Sequence, residues 1–407
     1  STMIPGSALY HVVEAMAPLY TAAVLGYASV RWLKAFSDEQ CAGINHFVAL
    51  YAAPVLTFHM VATNDPYRMN GRLIAADTLQ KAVIIVFLKA GAALWSRFRH
   101  RRGGDGKASA RSSTSLKWVV TNFSSATLTN TLIMGVPLLN GMYGAVSGGL
   151  IAQIVMMQVC VWFNVVIVLY QYMSPQDGIV KIGPGSSPAT VAENIEVMEA
   201  AAATASSATQ DSTTREMTTK SKDGGVTTAA EEAVDVPGPE PAHAPSVMLV
   251  LRMAGKKLYK IPNTYATFLG LLWSLIAFRL GISLPKIVDD SLSIISTTAV
   301  GLSMFASGTF IARQPRFVPC GYAIASLSMV LKFLVGPVVM LFTSLAMGLR
   351  GTLLHIAVVQ AALPLAVISF VYAEEYKVHA DIMSTGVILG IFISLPVTII
   401  YYILLGT

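Results

Sequence analysis

Apolar residues in this chain run in long unbroken blocks, without the alternation of half-buried strands or the mixed period of surface helices. Blocks of spanning length fall at 8–30, 41–63, 71–95, 116–139 and 145–173, and again at 261–281, 286–311, 318–347, 351–373 and 381–405. At about 20 residues per bilayer crossing, each is read as one transmembrane helix. The expected fold is an all-α polytopic membrane protein of ten transmembrane helices. Between the two sets lies a stretch of other composition, 174–247, rich in Ala, Thr, Ser, Pro and Glu. It has no apolar period with which to offset the entropy of ordering, so a disordered hydrophilic loop is expected there. The domains are then a first five-helix repeat at 8–173, the loop at 174–247 and a second five-helix repeat at 261–405.

Composition agrees and narrows the class. Of 407 residues 54% are hydrophobic and 12% charged, with a mean hydropathy of +0.61. Soluble domains carry about a quarter charged residues, so a single water-soluble fold is excluded. The net charge of +6 points to topology and not to nucleic acid, because the basic residues sit at the ends of apolar blocks. With the amino terminus outside, the inner loops and flanks hold 16 Lys and Arg, among them Arg97, Arg101, Lys256 and Arg313, against five outside, Arg68, Arg72, Arg279, Lys286 and Arg350. Both termini are expected on the non-cytosolic side and the central loop in the cytosol. Cys41, Cys160 and Cys320 show no ligand spacing, and no disulfide framework, metal site or cofactor is expected.

Five is odd, so the second set enters the membrane inverted relative to the first, as in many secondary transporters. In lipid every backbone polar group needs an internal partner, so a helix breaker at depth marks a cavity or a packed kink. The fourth block carries Thr129–Asn130–Thr131 with Gly135 and Pro137 following, and the ninth carries Gln360 and Pro364. Paired interruptions at the same ordinal position point to a substrate site. Half-helix N-termini and the neutral amides of Asn130 and Asn263 suit an anion such as a carboxylate. Asp77 and Lys81 lie four apart on one face of the third helix, either as a structural pair or as a polar station beside the path with Gln158. Lys89 and Lys332 are read as snorkelling cations, His59 and His355 as hydrogen-bonded helix residues, Gly148, Gly149 and Gly301 as packing positions, and Tyr401 and Tyr402 as interfacial anchors. No zinc helix, nucleophile elbow or phosphate loop is present in the sequence, so no enzyme is expected.

The stretches HVVEAMAPLY, INHFVALYAAPVLTFHM, NDPYRMN, RLIAADTLQK, TNTLIMGVPLLNGMYG, IPNTYATFLGLLWSLIAFR, LRGTLLHIAVVQAALP and EEYKVHADIMSTGVILG, with YYILLG near the end, resemble the plant PIN-FORMED auxin efflux carriers. The likeness covers nearly all of both helical sets and stops only in the central loop. It implies two inverted repeats of five with crossover helices four and nine, a scaffold that forms a homodimer, and an elevator-type transport domain. It implies export of the indole-3-acetate anion down its own electrochemical gradient, in auxin signalling, with naphthylphthalamic acid as inhibitor and membrane lipid around it. By resemblance the substrate site carries over to Asn130, Asn263, Pro364, Val367, Pro54, Leu56 and Thr129, and a support site to Asp77, Lys81 and Gln158.

The sequence departs from the family at Thr129, where proline is usual, at Leu365 and Ala366 after Pro364, and at Ala53 for a usual valine. The first departure implies a less sharply broken fourth helix. The loop is intermediate in length between long-loop plasma-membrane members and short members of the endoplasmic reticulum; the plasma membrane is favoured and the endoplasmic reticulum membrane is the alternative. Protein kinases are candidate partners of the loop. The competing functional readings are a proton- or sodium-coupled organic-anion symporter of similar inverted-repeat fold, and a membrane receptor or scaffold.

Overall fold

The computed structural model describes residues 6–101, 108–144, 146–178 and 261–406, with Met248, Arg252 and Gly255 besides. The stretch 174–247 lies outside the described residues, apart from the turns that carry its preceding helix to Gly178. Among the described residues the chain is helical, and its one extended pairing is an isolated antiparallel bridge between Thr129 and Leu365.

The first set of blocks becomes α1 (Gly6–Arg31), α2 (Asp38–Ala62), α3 (Gly71–Arg101), α4 (Ala108–Thr127), α5 (Thr131–Tyr143) and α6 (Val146–Met173). The second becomes α7 (Pro262–Leu280), α8 (Lys286–Arg313), α9 (Tyr322–Ala346), α10 (Gly351–Ala361), α11 (Val367–Glu375) and α12 (Ala380–Gly406). The fourth and ninth blocks are thus each two helices, α4 with α5 and α10 with α11, separated at 128–130 and 362–366. Five helices, α2, α6, α8, α9 and α12, are each long and apolar enough to cross a membrane.

Prolines explain three of the wide turns inside these helices; a fourth, Gln158–Trp162 in α6, has no proline in it or directly after it. A proline lacks an N–H and its ring crowds the carbonyl four residues back, which a wide π-turn relieves. Such turns occupy Val48–Ala52 before Pro54, Thr131–Gly135 before Pro137 and Leu331–Val335 before Pro337. The carbonyl that Pro337 leaves without its helical donor, that of Phe333, accepts from the Tyr401 hydroxyl at 2.8 Å. Tyr402 donates to Met142 O at 3.0 Å. Both tyrosines, expected as interfacial anchors, tie α12 to its neighbours instead. At the start of α2, Ser37 and Gln40 form a capping box.

Two groups of helices result. In one, α1 packs along α8, and α7 packs along α2, which also touches α8. Glycine decides how close they come: a Cβ on Gly308 would fall 1.9 Å from Ala23 O, and one on Gly26 would fall 2.1 Å from Phe305 O. The backbones of α1 and α8 therefore touch at this crossing. Gly301, read from sequence as a packing glycine, has open space around it. In the other group α3 lies on α9 and α4, α9 on α10, and α12 on α9, α10 and α11. The largest buried cluster runs through this second group, with Phe123, Leu128, Met134, Leu363, Leu365, Met383 and Val387 around the two breaks.

Candidate functional site: two helix breaks beside a cavity

The two breaks hold each other. Asn130 N–H donates to Pro364 O at 2.8 Å, and Ala366 N–H donates to Leu128 O at 3.1 Å, closing the bridge between Thr129 and Leu365. Thr129 needs no proline to break the helix, contrary to the expectation from its departure. Its carbonyl has no helical donor at the break and accepts instead from Gln158 Nε2 at 2.6 Å, while its hydroxyl donates to Gln158 Oε1 at 3.1 Å. The Thr131 hydroxyl lies 2.6 Å from that of Thr129. Gly135 leaves room for Leu363, whose Cδ1 would stand 2.5 Å from an added Cβ. Gly390 does the same for Pro364 on the α12 side, at 3.3 Å.

The arrangement has an electrostatic consequence. The first turns of α5 and α11 begin at the paired breaks, and the leading N–H groups of a helix have no intrahelical acceptor. Two positive helix ends therefore meet in the buried centre. Asn130 stands at the start of α5 with its side chain 8% exposed and its carboxamide making no hydrogen bond among the described residues. It is the one sequence-predicted residue that pairs an unengaged polar side chain with a helix N-terminus at the breaks.

A cavity of about 360 Å³ lies along α5 from Leu132 onward; Asn130, two residues earlier in the chain, is not among its lining residues. Its walls include Leu56 and His59 of α2, Leu132 and Val136 of α5, Gly148 of α6 and Val300 of α8. These positions lie late in α2 and early in α6, so the cavity lies toward the end of the bundle opposite Met173 at the end of α6. Gly148 and Gly149, expected to serve close helix packing, line this space. His59 Nε2 is 2.9 Å from Asp289 Oδ1 on α8. Asp289 and the wall residues Leu132 and Val136 were not legible as site residues, because an acid in a helix first turn and aliphatic residues in a span are ordinary.

The remaining predicted residues are placed as follows. Thr129, Asn130, Pro364 and Gln158 come together at the breaks, and Leu56 lines the cavity. Pro54 is buried two residues below Leu56, and Val367 begins α11; neither lines the cavity. Asn263 sits in the first turn of α7 with a buried Oδ1 that has no partner among the described residues. Asp77 and Lys81 are ion-paired and buried at 1% and 2% exposure, and the Lys81 ammonium lies 5.4 Å from the Trp162 ring, one turn past Gln158. The pair and Gln158 are thus at one level of the bundle. Lys332 does not snorkel: it is buried on α9, and its Nζ has no hydrogen-bond partner. No cluster of metal-binding side chains occurs among the described residues.

Helices of spanning length around a centre of broken backbone define the class, and the chain matches the family described as Membrane transport protein over residues 11–402. It is a multi-pass membrane protein. More narrowly, the chain belongs to the auxin efflux carrier family, the group of the plant PIN-FORMED proteins. It is 63% identical to "Probable auxin efflux carrier component 9" of Oryza sativa subsp. japonica, across 99% of this chain and 100% of that protein. It is 37% identical to "Auxin efflux carrier component 8" of Arabidopsis thaliana, across 99% and 100%. With "Probable auxin efflux carrier component 1b" of Oryza sativa subsp. japonica the identity is 34%, across 98% and 99%. These relatives are carriers and not enzymes.

Proposed function

We propose that the protein exports the indole-3-acetate anion by alternating access, driven by the substrate's own electrochemical gradient. The observation that carries this reading is the unengaged Asn130 carboxamide at the start of α5, two residues before Leu132 in the wall of a cavity of about 360 Å³. The amide and the helix end supply donors for a carboxylate without stranding a net charge when the site is empty. The apolar wall formed by Leu56, Leu132, Val136 and Val300 suits an aromatic ring. Pro364 acts through the backbone by holding Asn130, Val367 starts the second helix end, and Asn263 offers the N–H groups of its carboxamide from α7.

Ten spans as inverted repeats, 8–173 and 261–405, are the architecture that goes with this. The exchange of partners supports it: the first helix of one half lies on the second of the other, and the reverse. The group α1, α2, α7 and α8 is the scaffold and the homodimer side; the rest moves as the elevator. With the central loop in the cytosol, where kinases can reach it, the cavity opens to the non-cytosolic side of the plasma membrane. Naphthylphthalamic acid competes at the same site.

The test is efflux of labelled indole-3-acetate from liposomes containing the purified chain. Asn130→Ala removes one hydrogen bond to a charged group, about 1.5–3 kcal/mol, and lowers transport roughly 10- to 100-fold. Unchanged flux in that variant overturns the site. One observation favours the symporter reading: Asp77 is a buried carboxylate within a span, and its Oδ2 has no hydrogen-bond partner among the described residues. Flux that stops when the proton or sodium gradient is collapsed at fixed membrane potential selects it.

A further inference from the structure

His59 is the one ionisable side chain in the cavity wall, and it is held from behind. A carboxylate only accepts hydrogen bonds, so the contact between His59 Nε2 and Asp289 Oδ1 at 2.9 Å places a proton on Nε2. In the neutral ring the other nitrogen, Nδ1, then carries a lone pair and no hydrogen. Nδ1 has no hydrogen-bond partner among the described residues. His59 thus brings an acceptor of fixed tautomer to a wall whose other polar side chains are Thr63 and Asn64.

Its place along the path gives that acceptor a use. Leu132 and Val136 line the cavity and follow Asn130 along α5, while Leu56, His59 and Met60 face them from α2. A carboxylate at Asn130 therefore leaves the ring of the same ligand beside Leu132, with its far edge toward α2. We propose that His59, set in one tautomer by Asp289, is a specificity subsite that accepts a hydrogen bond from a ring N–H of the substrate, so that the carrier selects aromatic carboxylates bearing such a donor. This rests on the proposed function above, and it adds what reads the ring. A site that presents a polar atom to the ligand discriminates against an isostere lacking the complementary group, because that atom is then left unpaired.

The experiment compares indole-3-acetate with benzothiophene-3-acetate, in which sulfur replaces the N–H within a ring of similar shape. Both are assayed in liposomes containing the full chain, with both sides at pH 8. The wild-type chain should favour the indole by roughly three- to ten-fold in half-saturation, the worth of one neutral hydrogen bond. His59→Phe should bring the two acids within about two-fold of each other while benzothiophene-3-acetate still moves. Asp289→Asn, whose carboxamide can accept from or donate to Nε2, no longer fixes which ring nitrogen carries the proton and should lower the preference. Equal handling of the two acids by the wild type, or a wild-type preference retained in His59→Phe, overturns the inference. Where His59→Phe does not fold, an unchanged preference in Asp289→Lys, whose ammonium can only donate to Nε2, overturns it. Asn130→Ala weakens both acids alike, which separates the carboxylate end from the ring end. If the wild-type chain moves neither acid, the proposed function falls. The subsite is then read from ligand-induced melting shifts, and equal shifts for the two acids refute it.

Discussion

Replacing Gln158 with leucine tests whether one side chain closes the break in the fourth block. Thr129 is 4% exposed, and its carbonyl faces a chain break where a helix would supply an N–H four residues on. Gln158 Nε2 fills that role at 2.6 Å, and Gln158 Oε1 accepts from the Thr129 hydroxyl at 3.1 Å. Leucine keeps the volume and removes both contacts. The stranded carbonyl costs about 1–3 kcal/mol and the hydroxyl adds about 1, against a small gain from burying an apolar side chain in place of an amide. A net loss of about 2–3 kcal/mol corresponds to a melting temperature lower by roughly 4–12 °C, at about 2–4 °C per kcal/mol. The assay is thermal unfolding of the detergent-solubilised chain, with transport measured in parallel. Gln158→Glu keeps an acceptor for the hydroxyl but sets oxygen against oxygen at the carbonyl, so it should lose at least as much. A Gln158→Leu protein that melts within about 1 °C of wild type refutes the reasoning.

Further outcomes follow from the packing and the buried charges. Gly308→Leu drives a side chain into the Ala23 carbonyl and should abolish a monodisperse peak on size exclusion, whereas Gly301→Ala, with open space around it, should not. Asp77→Ala leaves the Lys81 ammonium buried without its partner and should cost about 3–5 kcal/mol in unfolding measurements. Lys332→Met removes a buried amine that makes no hydrogen bond, and should melt no lower than wild type. His379, in the turn between α11 and α12, is held below the usual histidine value, first by burial and then by the charge of Lys117. The folded state therefore resists protonation there: stability is unaffected well above the ordinary histidine value near 6.5 and falls as pH drops below it. His379 has a positive φ of 48° and accepts at Nδ1 from, or donates to, the Thr121 hydroxyl at 2.9 Å. His379→Asn, which tolerates that backbone, should flatten the acid limb of the melting-temperature profile.

What the sequence alone determined was the set of apolar blocks and the place of their interruptions. Hydrophobic length is a local property, so the run at 286–311 became Lys286–Arg313 and that at 381–405 became Ala380–Gly406. Asn130 and Pro364 were legible because a polar amide and a helix breaker stand out in a span. The Asp77–Lys81 pair was legible from four-residue spacing, and the structure holds it buried.

Tertiary structure decided whatever depends on which block lies against which. Thr129 breaks its helix because Gln158 and the second break supply the missing hydrogen bonds, and no local rule for threonine says so. Tyr401 and Tyr402 turn inward because Pro337 frees a carbonyl on another helix and α5 presents a second. Lys332 remains buried because of where α9 packs, although its stem is long enough to reach an interface from many positions. Gly148 and Gly149 line a cavity, whereas Gly26 and Gly308 close a helix crossing. The residue type is the same in both places; only the neighbours differ. His59 gained its hydrogen-bond partner, Asp289, from 230 residues away. A hydrogen bond across that separation is fixed by the packing of α2 on α8, which the pattern of hydrophobic blocks does not encode.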